Sequence, residues 1–176
     1  MLSTYVISFC RVAIGIIFLV AFTGKVSHIN TFAHTVARFD MLPSRYIGAA
    51  TLLFLSSEAL IVMAMLIAGP LLPSGFALAI VLLTIFTLAL RRALARSLQA
   101  SCNCFGDTDK TISRYDVWRN YSFILLALLA WGISIQAPQN STTLNILEWF
   151  VIVIPAIGLT TVWMHLEEIF QIFQQN

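Results

Sequence analysis

The sequence predicts an all-α membrane protein, a bundle of apolar helices that crosses the bilayer several times. Hydrophobic residues make up 59% of its 176 residues, charged residues make up only 10%, and the mean hydropathy is +0.89. Soluble domains carry about 25% charged residues, so this composition excludes a soluble globular class. The net charge of +2 gives no indication of nucleic-acid binding, and we expect none.

Five apolar segments account for most of the chain. A membrane-spanning helix needs about 20 predominantly apolar residues. Four segments meet that length clearly, and a fifth, which contains a proline, is also expected to span. The predicted spans are 5–24, 46–68, 71–90, 114–135 and 144–164. No internal repeat and no soluble domain is recognisable, so we expect a single membrane domain over residues 1–176.

The first span and the polar stretch after it have recognisable signals. No Lys or Arg precedes Arg11, which favours a full span over a cleaved signal peptide. In the polar stretch, residues 25–45, Phe32, Val36 and Phe39 recur at helical spacing and predict a short interfacial helix. Pro43 disfavours helix at the preceding residue and therefore marks the start of the second span.

The later spans are bounded by turn and cap signals. Gly69-Pro70 predicts a tight turn between the second and third spans, and the third span stops at Arg91-Arg92. Ser113, with an acidic residue three positions later, predicts the N-cap of the fourth helix. Aromatic residues near the predicted span ends are typical of interfacial anchors: Trp118, Tyr121, Trp149 and Trp163.

The strongest chemical signal is the stretch Cys102-Asn103-Cys104-Phe105-Gly106, in the longest polar interruption of the chain. Two cysteines at this spacing can form a disulfide or bind a soft metal ion. A disulfide between them requires a bent backbone, which Asn103 and Gly106 allow. A strained bond of this kind is easily reduced, as expected of a catalytic disulfide. Cys10, inside an apolar run, is expected to be a packing residue.

Alternation of the spans places the 25–45 stretch and the Cys-x-Cys loop on the same membrane face. That face, with its helix ends, carries every Lys and Arg except Arg11. The positive-inside rule therefore predicts that it is cytoplasmic. Cations favour the thiolate form of nearby cysteines. The residues expected to converge on Cys102 and Cys104 are Lys25, His28, His34, Arg119 and Asn120.

Two charged residues lie deep inside predicted spans. Counted from the shared face, Arg11 and Glu58 both fall about 18–20 Å below it at about 1.5 Å per residue. An unpaired charge at such depth costs at least about 2.5–3.5 kcal/mol. We therefore expect an ion pair between Arg11 and Glu58 that joins the first two spans.

The chain resembles the MauE/DoxX-like family of small redox-associated membrane proteins, over roughly residues 11–130. The residues that carry the resemblance are Arg11, Gly15, Gly24, Lys25, Pro43, Glu58, the Cys102–Gly106 stretch, Arg119 and Asn120. The resemblance implies a helical bundle similar to that of vitamin K epoxide reductases, in a bacterial inner membrane. It also implies thiol–disulfide exchange with a periplasmic partner and a link to membrane quinone. A periplasmic Cys-x-Cys disagrees with the charge distribution, and both sides remain open.

The leading functional hypothesis is a membrane thiol–disulfide oxidoreductase, or an accessory subunit of one. Cys102 and Cys104 would exchange disulfides with a thiol-containing partner protein and pass electrons onward, with quinone as the candidate acceptor. A second hypothesis is a zinc or copper(I) protein that uses Cys102, Cys104, His28 and His34 as ligands. A third is a non-catalytic assembly factor whose helices hold a partner subunit.

Overall fold

The computed structural model describes residues 2–38, 43–96, 114–136 and 145–164. Over these ranges the chain forms no strand, two single-turn 3₁₀-helices (Ser44–Tyr46 and Gly69–Leu71) and six α-helices. They are α1 (Leu2–Ser27), α2 (Ile29–Arg38), α3 (Ile47–Ile67), α4 (Leu72–Ala95), α5 (Arg114–Gln136) and α6 (Ile146–Met164). All except α2 are long and apolar enough to cross a membrane. The predicted all-α multi-pass bundle is confirmed, and α6 supplies the fifth candidate span.

Helix α1 is the central element of the bundle. It packs against α3, α5 and α6, while α4 packs against α3 and α5. Alanines such as Ala13, Ala79 and Ala127 are fully buried where helices meet. Small residues allow membrane helices to approach closely, which increases dispersion contacts between them. The larger buried residues of this core include Ile14, Ile17, Phe18, Ile61, Met65, Phe76, Leu82, Leu83 and Phe123.

Two helices extend beyond their predicted ends. α1 continues to Ser27 instead of residue 24, and α4 continues to Ala95 instead of residue 90. The predicted ends followed the loss of hydrophobicity. A helix satisfies its own backbone hydrogen bonds, so it can continue past the hydrocarbon core while polar side chains meet water or head groups. The additional turn of α1 keeps Lys25 inside the helix.

The predicted short helix between the first two spans is present as α2. Its side chains Phe32 and Thr35 are buried against the bundle, whereas His34 is exposed. The ring of Phe32 packs edge to face on Phe54 of α3, with 6.4 Å between ring centroids. α2 is therefore an amphipathic helix that covers one end of the bundle.

A tight turn joins α3 to α4, as Gly69-Pro70 predicted. Ala68 and Gly69 have φ angles of 59° and 65°, so the chain leaves the helical direction at once. Immediately after the turn, Gly75 of α4 lies against Ala64 of α3. A Cβ atom added to Gly75 would lie 2.8 Å from the Cβ of Ala64. The close crossing of α3 and α4 therefore requires glycine at this position.

The Cys-x-Cys loop lies outside the described residues. This applies to Cys102, Cys104, Phe105 and Gly106, and also to the predicted N-cap Ser113. The helices on either side of the loop are described. α4 ends at Ala95 and α5 begins at Arg114, so both helices meet the loop at the same end of the bundle.

Candidate functional site

A buried ion pair joins α1 to α3. The Lys25 ammonium donates a hydrogen bond to Oε1 of Glu58, and the two residues are only 3% and 4% exposed. Charged groups in a low-dielectric interior are costly unless they are paired, and removal of one partner leaves the other uncompensated. The pair therefore makes each charge tolerable only in the presence of the other.

Side-chain direction explains how Lys25 and Glu58 meet although their α-carbons lie at different depths. In a helix, the Cα–Cβ bond is tilted toward the helix N-terminus. Lys25 is close to the C-terminus of α1, so its side chain is directed back into the bundle. Glu58 belongs to α3, which runs in the opposite direction, so its side chain is directed toward the end where α1 terminates. The two side chains consequently approach each other.

Aromatic rings surround the ammonium group of Lys25. Its Nζ atom lies 5.5 Å from the ring centroid of Phe32 and 5.9 Å from that of Phe86. The face of an aromatic ring attracts a cation, and the attraction is stronger where water is excluded. Phe32 and Phe86 therefore help to hold the ammonium group inside the bundle.

A cavity of about 40 Å³ lies beside the ion pair. Its polar lining residues are Lys25, Glu58 and Asn120, contributed by α1, α3 and α5. We call it the Lys25–Glu58 cavity. Its volume corresponds to about two or three water molecules. Its apolar lining residues are Ile17, Phe18, Ala21, Phe54, Leu82, Leu83 and Phe86.

Two buried polar atoms of the cavity residues have no hydrogen-bond partner among the described residues. They are Oε2 of Glu58, an acceptor, and Nδ2 of Asn120, a donor. Buried polar groups are nearly always hydrogen-bonded, and an unpaired one costs about 1–3 kcal/mol. The cavity is thus chemically suited to a small group, or to water, that both donates and accepts a hydrogen bond. A carboxylate beside such a group can also take up or release a proton.

The predicted pairing of Arg11 with Glu58 is wrong. Glu58 pairs with Lys25, whereas the guanidinium of Arg11 donates from Nε to the carbonyl of Met65 and from Nη2 to that of Leu66, the latter at 2.9 Å. Equal depth of the α-carbons was the basis of the prediction. The tilt of Cβ toward the N-terminus directs Arg11 away from Glu58 and toward the opposite face.

Arg11 instead caps the C-terminal end of α3. The last carbonyl groups of a helix lack intrahelical donors. The partner expected for the Leu66 carbonyl is the N–H four residues later, but that residue is Pro70, which has none. The Arg11 guanidinium supplies the missing donors and also lies over the ring of Trp149 in α6, 5.6 Å from its centroid.

Only some of the other predicted supporting residues lie at the Lys25–Glu58 cavity. Lys25 and Asn120 line the same cavity, while Arg119 pairs with Asp116 one turn earlier on α5, at 2.9 Å. His28 and His34 are exposed on the α1–α2 turn and on α2. No group of three or more metal-ligating side chains occurs within residues 2–38, 43–96, 114–136 and 145–164. Cys10 is buried, in agreement with a packing role.

Some contacts of the bundle were not predicted. The hydroxyl of Tyr5 donates a hydrogen bond to Oε1 of Glu148, which joins α1 to α6. Oε2 of Glu148 accepts a hydrogen bond from the N–H of Asn145 at 2.7 Å. An Asn three residues before a Glu is a recognised signal for a helix start, so the cap of α6 could have been found from the sequence. Phe86 had no distinguishing signal among the 13 phenylalanines.

These features define a class of protein: a multi-pass helical membrane protein with a charged site between its spans. The comparison with protein families is more specific. The family model described as methylamine utilisation protein MauE matches residues 3–133, which is most of the chain and includes α1 to α5 up to its last turn. The chain belongs to the MauE family. No curated protein and no solved structure shows significant similarity to it.

Proposed function

We propose that this protein is the membrane component of a thiol–disulfide exchange system, with Cys102 and Cys104 as its redox pair. In the exchange step, a Cys102–Cys104 disulfide accepts two electrons from two thiols of a partner protein. The partner gains a disulfide, and Cys102 and Cys104 become thiols. A membrane quinone that takes up two electrons and two protons regenerates the disulfide and leaves as the quinol.

The observation that carries the proposal is the Lys25–Glu58 cavity. It lies in the half of the bundle where α4 and α5 continue into the Cys-x-Cys loop, and Asn120 lies within the second turn of α5. Thiol oxidation releases protons, and Glu58 is a buried carboxylate whose Oε2 has no partner among the described residues. A proton acceptor close to the thiols would assist their oxidation.

Membership of the MauE family also supports the proposed role. The family is described as methylamine utilisation protein MauE. We therefore propose an accessory role in that process, with an exported, thiol-containing protein of the same system as the partner. The same reasoning favours a bacterial inner membrane with the Cys-x-Cys loop on the periplasmic side, against the positive-inside rule.

Differential alkylation tests the redox pair directly. Free thiols of the purified protein are blocked with one reagent, disulfides are reduced, and the released thiols are labelled with a second reagent for mass spectrometry. We expect Cys102 and Cys104 to exchange labels together after mild oxidation, while Cys10, which is buried, serves as the internal control. If Cys102 and Cys104 stay reduced, the exchange proposal is wrong. Stoichiometric zinc or copper in the same sample would favour the metal-binding hypothesis.

The partner and the side are tested with single-cysteine variants. Cys102→Ser leaves Cys104 able to form a mixed disulfide that cannot be resolved internally, so a covalent partner complex should accumulate. The matched control Cys102→Ser/Cys104→Ser should form none. In intact cells, a membrane-impermeant maleimide should label Cys104 but not a cysteine at Asn140, on the opposite side of the predicted topology. Labelling of Asn140→Cys alone would place the Cys-x-Cys loop in the cytoplasm.

A further inference from the structure

A second solvent-accessible recess lies at the end of the bundle where α4 terminates and α5 begins. It has a volume of about 250 Å³ and is lined by Arg91, Leu94, Arg114, Val117 and Trp118. We call it the Arg91–Arg114 cleft. None of these residues lines the Lys25–Glu58 cavity, so the cleft is a separate feature and its role is independent of the proposed thiol chemistry.

The cleft has a concentrated positive charge. Arg91 comes from the last turns of α4, and Arg114 is the first residue of α5. No Asp or Glu of the described residues lines the cleft; the nearby Asp116 is buried and pairs with Arg119. The N-terminus of α5 adds the partial positive charge of its helix dipole. The cleft is therefore suited to an anion.

Aromatic side chains hold Arg91 in place and indicate the depth of the cleft in the membrane. Nη1 of Arg91 donates a hydrogen bond to the hydroxyl of Tyr121 at 3.1 Å, which holds the guanidinium in place. Tyr121 also packs edge to face on Trp118, with 6.2 Å between ring centroids. Trp118 is 72% exposed on the outer surface of a membrane-spanning helix. Exposed Trp and Tyr at span ends mark the level of the lipid head groups.

The geometry points to the Arg91–Arg114 cleft as a binding site for the phosphate of an anionic phospholipid. Two guanidinium groups can hold phosphate oxygens through paired, charge-assisted hydrogen bonds. Basic pockets between membrane helices at head-group level bind anionic lipids in this way. Trp118 lines the cleft and is exposed on the outer surface of α5, where the glycerol backbone and upper acyl chains of a bound lipid would contact it. Free phosphate shares the same binding chemistry but has no acyl chain.

Quenching of tryptophan fluorescence tests the site. The purified full-length protein in detergent is titrated with phosphatidylglycerol whose acyl chains carry bromine, which quenches nearby tryptophans. Brominated phosphatidylcholine gives the background. We expect phosphatidylglycerol to quench the fluorescence at lower concentration than phosphatidylcholine does. This difference between the two lipids should be absent in Trp118→Phe, which lacks the tryptophan of the cleft. An arginine at the membrane surface contributes about fivefold in affinity, so Arg91→Gln/Arg114→Gln should weaken the selective binding about thirtyfold.

The controls separate a specific site from general electrostatics. Arg92→Gln removes the same charge from the neighbouring position, which is exposed but does not line the cleft, and should bind phosphatidylglycerol as the unmodified protein does. Equal quenching by both lipids, or equal loss in Arg92→Gln and the double variant, would overturn the proposal. The melting temperature is also measured with inorganic phosphate and with phosphatidylglycerol. An equal rise with both would overturn the proposal as well, because the acyl chains would then have no role.

Discussion

Lys25 and Glu58 are 33 residues apart in the chain, yet their charged groups form a buried hydrogen-bonded pair inside the bundle. The pair joins the last turn of α1 to the middle of α3, and Asn120 of α5 also lines the cavity beside it. The same interaction thus fixes how the spans pack and creates the polar site between them.

We predict that loss of either charge of the Lys25–Glu58 pair strongly destabilises the protein, because the other charge is then buried without its partner. Glu58→Gln leaves the Lys25 ammonium buried without a charged partner and should cost about 3–5 kcal/mol in free energy of unfolding. Lys25→Met should cost a similar amount. The double variant Lys25→Met/Glu58→Gln should recover much of the loss, because no charge remains. Thermal and denaturant unfolding in detergent measures all three.

A second cycle provides the matched control. Among the described residues, Arg11 shares no hydrogen bond or ion pair with Glu58, so the losses from Arg11→Gln and Glu58→Gln should add, within the roughly 0.3–0.5 kcal/mol found for independent sites. Additive losses in the Lys25–Glu58 cycle, with coupling in the Arg11–Glu58 cycle, would contradict the observed arrangement.

Arg11 should stabilise the end of α3. Arg11→Gln removes the charged donor to the carbonyls of Met65 and Leu66 and should cost about 1.5–3 kcal/mol. Arg11→Lys should retain part of this, since an ammonium cannot reach both carbonyls with the same geometry. Hydrogen exchange of the α3–α4 turn should become faster in Arg11→Gln. Arg92→Gln, at an exposed site, is the control and should stay within about 0.5 kcal/mol.

Gly75 should tolerate no larger side chain. In Gly75→Ala, the new Cβ would meet the Cβ of Ala64 at 2.8 Å and Cε of Met65 at 3.1 Å, so α3 and α4 must separate. Overpacking of this kind costs about 1–3 kcal/mol. Gly132→Ala is the matched control, because nothing lies within 4 Å of its new Cβ and alanine favours a helix by about 0.5–1 kcal/mol. Equal effects of the two substitutions on the melting temperature would show that the helices do not meet at Gly75.

Much of the fold follows from the sequence, because the bilayer restricts what a span can be. Hydrophobic length predicted the five long apolar helices, which are candidate spans, and turn signals at Pro43 and Gly69-Pro70 located two of their boundaries. The helix ends were less accurate at Ser27 and Ala95. Hydrophobicity reports where the hydrocarbon core ends, whereas backbone hydrogen bonding decides where the helix ends.

The candidate site was only partly predictable. Lys25 and Asn120 were singled out as residues expected to converge on Cys102 and Cys104, and Glu58 as a charge deep inside a predicted span. Their grouping could not be derived in the same way. Depth along a span follows from counting residues, but which side chains meet depends on helix rotation and on the direction of each Cα–Cβ bond. Depth alone was the basis for pairing Arg11 with Glu58. It gives no indication that Arg11 would instead bond to the carbonyl groups at the end of α3.

A substitution of Asn120 should affect stability and function in different ways. Its Nδ2 atom is buried without a hydrogen-bond partner among the described residues. Asn120→Leu replaces an amide whose Nδ2 lacks a partner with an apolar group of similar size, so the free energy of unfolding should be unchanged or rise by up to about 2 kcal/mol.

If the Lys25–Glu58 cavity serves thiol oxidation, the same Asn120→Leu variant should reoxidise Cys102 and Cys104 more slowly, because the cavity loses a donor that can hold water or substrate beside Glu58. The measurement is the rate of disulfide formation by quenched alkylation, alongside unfolding of the same sample. Ser122 lies two residues further along α5 and donates an exposed hydrogen bond to the carbonyl of Trp118, so Ser122→Ala should alter neither quantity by more than a small amount. A stabilised Asn120→Leu protein with an unchanged reoxidation rate would exclude the cavity from the chemistry, whereas a destabilised one would mean that Nδ2 is hydrogen-bonded after all.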